Sequence, residues 1–176
     1  MNIVRRALVA LLVTVAALIG SLAPTVATAA DLTNYGENKT LDALFRGQTL
    51  SAPASWHLGL YTDTCTDAGP GTEVSTSGTA YARQAVAASL TAWAGTQSAG
   101  STTASTGTTG TTSNNAVISC PESTAAWGTI QSVGFNDAST AGNRWICINL
   151  SAPFAVSGAG ITVKFNAGTL TFQIDN

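Results

Sequence analysis

Charge is what this sequence has least of: Asp, Glu, Lys and Arg together make up 9% of its 176 residues, and His and Met occur once each. So few ionic side chains exclude salt-bridge networks and charge-laced amphipathic helices. The seven Lys and Arg are scattered along the chain against nine Asp and Glu, for a net charge of −2. A phosphate-binding face is thereby excluded, and no nucleic-acid partner is expected. With His57 the single histidine and no CxxC pair among the three cysteines, the usual zinc ligand sets cannot be assembled. Neither a metal nor a cofactor is expected. A GxSxG elbow is missing, so a nucleophilic triad with His57 as its base has no nucleophile to serve. There is no internal repeat to build a propeller or solenoid. No apolar run reaches the roughly 18 to 20 residues that a membrane-spanning helix requires.

What the sequence has is an export signal followed by strands. Arg5 and Arg6 precede an apolar run at 7–19, and small residues end at Ala29 and Ala30. These are the three parts of a secretory signal peptide, so residues 1–30 are expected to be removed and to be the only link to a membrane. Residues 31–176 then form one domain with five basic and nine acidic residues, a net charge of −4. In an oxidising compartment one disulfide is expected among Cys65, Cys120 and Cys147, with one thiol left over. All three pairings remain open, because bridging depends on Cα proximity in the fold.

The stretch 127–150, WGTIQSVGFNDASTAGNRWICINL, reads as a β-hairpin. Val133 and Phe135 share one face, Ile146, Ile148 and Leu150 share another, and 137–143 is a cluster of turn-forming residues. Upstream, residues 31–48 predict a helix capped by Asn34, with Glu37 reaching back and Gly47 ending it. Its Leu41, Leu44 and Phe45 lie on one face, which should dock on an end or open edge of a sheet. Trp56, Leu58 and Leu60 alternate in a strand, with His57 on the opposite face, and the run 81–93 reads as a further strand burying Val86 and Leu90. Residues 94–115 are almost entirely Ser, Thr, Gly and Ala and read as a long flexible loop. Ile161, Val163 and Phe165 alternate against Leu170, Phe172 and Ile174 around 166–168, predicting a second hairpin. About seven strands, one short N-terminal helix and no βαβ rhythm argue for a mainly β fold. The expected architecture is an antiparallel β-sandwich of jelly-roll type.

Candidate chemistry is sparse. Asp63, Asp67, Glu73 and Glu122 are the carboxylates from which a glycosidase pair would be drawn, but each lies in a polar loop suited to solvated carboxylates. The spacing of Asp63, Cys65, Asp67 and Gly69 faintly resembles a calcium loop, yet cysteine replaces an oxygen ligand and no bidentate Glu follows. Among four tryptophans, Trp56 alternates with core leucines, while Trp127 and Trp145 lie near strand ends, where an exposed ring would stack on a glycan.

The words LTNYGENKTLDALFRGQ, GLYT, DAGPGTEVS, YARQAV and TAAWGTIQSVGFNDASTAGN occur in this order. In order and wording they resemble a family of small phage proteins described as tail-fibre-like or tail structural proteins, over residues 32 to about 174. The resemblance implies a β-rich virion component without enzymatic activity or catalytic residues, whose partners are other virion or tail subunits and further copies of itself. The export signal adds a second setting, a prophage-derived module that is secreted. The runner-up reading is a secreted carbohydrate-binding or adhesive β-sandwich that holds a cell-surface glycan through Trp127 and Trp145.

Overall fold

Alternating apolar residues and a turn-rich connection over 127–150 produce the long antiparallel hairpin that the sequence predicts. The computed structural model describes residues 31–174; the expected signal peptide at 1–30 lies outside the described residues. In chain order the elements are β1 (Asp31–Leu32), α1 (Asn34–Phe45), β2 (Ser55–Tyr61), β3 (Gln84–Ala87) and β4 (Thr111–Ser113). They continue with β5 (Ile118–Glu122), β6 (Gly128–Asn136), β7 (Arg144–Val156), β8 (Thr162–Phe165) and β9 (Thr171–Gln173). A five-stranded sheet in the order β1-β7-β6-β2-β3 is joined by two ribbons, β4-β9 and β5-β8, and every pairing is antiparallel. The fold is mainly β with one short helix, as expected.

The β6–β7 hairpin sits at the centre of the larger sheet because both of its strands are apolar on the inner face. Val133 lies opposite Ile148 and Phe135 opposite Ile146, while Leu58 and Leu60 of β2 extend the same face from the other side. Against this face pack Ile118 and Cys120 of β5 with Val163 and Phe165 of β8, closing one continuous core. Most of these side chains are buried almost completely, at roughly 1.5 to 3 kcal/mol each.

Four expectations are corrected by the structure. Thr33, not Asn34, caps α1: its hydroxyl accepts from Gly36 N and also donates to Arg144 O at 2.5 Å, tying the start of the helix to β7. The apolar face of α1 does not dock, since Leu41, Leu44 and Phe45 are 52, 70 and 79% exposed. Only the first turn is seated, where Gly36 lies so close to the Trp145 carbonyl that a Cβ would stand 2.5 Å from its oxygen. The run 81–93 is strand only over β3; a tight turn then forms, with Ala92 N and Trp93 N both donating to Ser89 O, and Leu90 is exposed.

The fourth correction is the second hairpin. β8 pairs with β5 and β9 with β4, so Ile161, Val163 and Phe165 do not face Leu170, Phe172 and Ile174 across a ladder. Asn114, 1% exposed, explains the split. Its side chain accepts from Leu170 N at 2.9 Å, taking a donor that the expected ladder would use, and donates at 2.8 Å to Asn166 O, which also accepts from Thr169 N across the turn. The Ser, Thr and Gly stretch 94–115 supplies β4 and is otherwise loop, knitted by Gln97: its Nε2 donates to Ser101 and Thr103 hydroxyls and its Oε1 accepts from Thr106 N.

Candidate functional site: a braced loop cluster

Three segments meet at the end of the five-stranded sheet where β6 turns into β7. They are the loop 137–143, the loop 62–73 that follows β2, and the first turn of α1. Between them lies a cavity of about 320 Å³ lined by Thr33, Tyr35, Asp67, Pro70, Asn143 and Arg144 among others. The tip, residues 139–143, is exposed.

Two bonding systems hold this tip in place. Within the loop, Asp137 N donates to Asn143 O, and the Asp137 carboxylate accepts from Asn143 N at 2.7 Å, Asn143 Nδ2 at 3.1 Å and Trp145 Nε1 at 3.1 Å. Ala141, with φ +52°, is held in the left-handed region next to Gly142 at φ +70°. From below, Arg83 Nη1 donates to Ala138 O at 2.7 Å and Ala141 O at 2.8 Å, while its Nε and Nη2 engage both oxygens of Glu73. Tyr81 completes the brace: its hydroxyl donates to Glu73 and accepts from Leu60 N, both at 2.8 Å. Burial pushes the Tyr81 and Tyr61 phenols up, so both stay protonated at neutral pH.

A second arginine lies under the cavity. Arg144, 6% exposed, stacks over the Tyr61 ring at 4.8 Å and donates through Nη2 to Thr66 O and Gly69 O, while Tyr61 donates to Asn136 at 3.0 Å. Glycine makes the room: a Cβ on Gly134 would lie 2.6 Å from Arg144 Cδ, and one on Gly71 2.7 Å from Nη1. Cys65 and Cys147, with Cα atoms 5.7 Å apart, bond the loop 62–73 to β7.

The sequence-derived candidates fall as follows. Cys65 and Cys147 form the disulfide, and Cys120 is a free thiol buried in the core, pushed up to about 12 by that burial. Trp127 and Trp145 are each 5% exposed. Trp127 donates to Thr79 O and meets Tyr81 edge-on; Trp145 lies between Tyr35 and Trp56. Neither offers a face for a sugar. His57 and the four carboxylates do not converge: Asp63 accepts from Thr72 N, Asp67 lines the cavity, Glu73 is bound to Arg83 and Glu122 is exposed on β5. Among the described residues no group of three or more His, Cys, Asp and Glu is placed to hold a metal ion, and no helix is long and apolar enough to cross a membrane. Reading the sequence missed Glu73, Arg83 and Arg144 as bracing residues. Their signal was rarity, since a chain this poor in charge has few buried ionic groups, and each needs a partner.

The Asp137 bonds predict a pH response. Burial works against the carboxylate, but the hydrogen bonds from Asn143 and Trp145 outweigh it and hold Asp137 below the usual carboxylate range. A folded-state pKa below the unfolded value gives stabilisation that is complete above about 3.9 and lost as pH falls through the lower folded value. The Trp145 indole N–H resonance should hold steady from neutral pH to about 4 and move only below it. A titration at or above the ordinary Asp value would contradict the assignment, and Asp137→Asn should abolish the transition.

A family model described as Podophage GP4 fiber I protein gp80 matches residues 31–173. No curated protein matches the chain.

Proposed function

Since that match spans well over half of its length, this chain belongs to the podophage GP4 fiber I protein gp80 family, and from that premise we propose that it is a non-enzymatic structural or attachment subunit of a phage tail fibre. It acts through contacts with other virion components, and the loop 137–143 is its outward-facing contact. The observation that carries this reading is the bracing of that loop by Arg83 and Asp137. A loop held in one conformation before contact loses little entropy on binding. The reading is also supported by where the ionisable side chains go: Arg83 and Asp137 hold backbone of the loop and Glu73 holds Arg83 and the Tyr81 hydroxyl, so all three serve the brace.

The export signal suggests a further setting, a prophage-derived relative that is secreted. The carbohydrate-binding alternative loses the two rings it rests on, because Trp127 and Trp145 are both buried.

Mass spectrometry of purified particles should find this chain in the tail fraction. A Ser139→Trp, Thr140→Glu variant should be incorporated normally yet lower adsorption to host cells by about tenfold or more. Absence of the chain from particles made by the encoding genome would refute the fibre reading. Unchanged adsorption would remove the loop from it. If the protein is instead exported, N-terminal sequencing should find a start at or just after Ala29.

A further inference from the structure

Two apolar features have no partner among the described residues, and they complement each other. The first is the outer face of α1, where Leu44 is 70% and Phe45 79% exposed; Phe45 is the one aromatic among the exposed large apolar side chains of the described residues. The second is a cavity of about 210 Å³ at the open end of the core. Trp56 of β2, Phe135 of β6 and Ile146 of β7 form one wall, and Trp93, Thr112 and Phe172 form the other. No charged side chain lines it. Trp93 is fixed there by its edge-on contact with Phe135 at 5.3 Å and by donating Nε1 to Ala87 O.

The sizes match. An apolar cavity of about 150 Å³ suffices to bind benzene, so this one admits one phenyl ring. Charge does not oppose the contact either, since α1 carries Glu37 and Asp42 against Lys39 and its neighbour Arg46. The chain cannot seat its own Phe45 there while the first turn of α1 is in place. Thr33 is bonded to Arg144 O, Asn34 N to Asp67 O, and Gly36 is flush against Trp145 O, which together set the direction of the helix and leave Phe45 in solvent.

We infer that α1 of one copy inserts Phe45 into the Trp56–Trp93–Phe172 pocket of a second copy. The inference rests on the fibre reading only in that a fibre brings copies side by side. Knob and pocket are different patches, so the contact is either made twice across a two-fold axis or repeated head to tail into a closed ring or an open filament. Its core is an aromatic anchor in an apolar pocket, the arrangement that dominates interface energetics.

The test uses the full chain with p-benzoylphenylalanine in place of Phe45, prepared as a mixture of light and isotopically heavy copies and irradiated. Heavy–light crosslinked peptides should join position 45 to Trp56, Trp93 or Phe172. Crosslinks confined to one copy, crosslinks joining 45 to 45, or no crosslinks between copies would each overturn the proposal. Phe45→Ser and the pocket-filling Thr112→Trp should each weaken self-association in sedimentation by about tenfold or more, with thermal unfolding of Phe45→Ser unchanged because that side chain is exposed. Detection in particles is read separately. A chain present in virions but lacking these crosslinks sinks this contact alone, and crosslinks in a protein absent from virions sink the fibre reading alone.

Discussion

Replacing the Cys65–Cys147 bond in a Cys65→Ser, Cys147→Ser variant should lower the unfolding free energy by about 4 kcal/mol. The two cysteines are 82 residues apart in sequence, so the bond restricts a long stretch of the unfolded chain that carries β3 to β6. Loop-closure entropy for that length amounts to about 4 to 5 kcal/mol at 25 °C. For a domain of this size the melting temperature should fall by roughly 10 to 15 °C. The bond also anchors the loop 62–73 beside the cavity, so amide exchange there should accelerate more than exchange in β6. Alkylation checks the pairing directly. Native protein without reductant should take up no alkyl group, because Cys120 is 4% exposed and its thiol is held un-ionised. Unfolded protein should take up one group without reductant and three with it. A change in melting below about 3 °C in the double variant would show that the unfolded chain is already compact there.

Glu73→Ala should cost about 3 kcal/mol, because it strips the partner from a guanidinium whose side chain is only 9% exposed. The Tyr81 hydroxyl loses its acceptor in the same step. Arg83→Met should cost less, about 1 to 2 kcal/mol, since the Glu73 it leaves behind is 26% exposed and can take water. The two variants should separate on a different readout. Arg83→Met removes the bonds to Ala138 O and Ala141 O and should speed amide exchange across 138–143, whereas Glu73→Ala leaves those bonds in place. In a double-mutant cycle the pair should show a coupling of about 1 kcal/mol or more. Equal exchange in both variants would mean that the loop is held by its internal Asp137 bonds alone.

How far such features can be read from residues alone varies with the range of the interaction. The β6–β7 hairpin was legible because its causes are local: alternation at Val133, Phe135, Ile146 and Ile148, and turn residues at 137–143. The extent of α1 was legible for the same reason, with Gly47 ending it at φ +67°. The hairpin at 161–174 has the same local pattern and does not form. Its competitor is Asn114, some fifty residues away in sequence, and nothing within 161–174 announces it. The exposure of Leu41, Leu44 and Phe45 is likewise set from outside, by Thr33 and Gly36 fastening the first turn to β7. Helical spacing says which residues share a face and not what lies opposite.

The sequence by itself determined that this is a mainly β, charge-poor protein with a short helix at 34–45, a central hairpin and fibre-family motifs, since composition, period and wording are properties of neighbours along the chain. The tertiary structure alone decided which two cysteines meet, which ribbons β8 and β9 join, that Trp127 and Trp145 are buried, and that Glu73 and Arg83 brace the tip. Each of these turns on the separation in space of residues far apart in sequence, which is fixed only when β2, β6 and β7 pair and close the core.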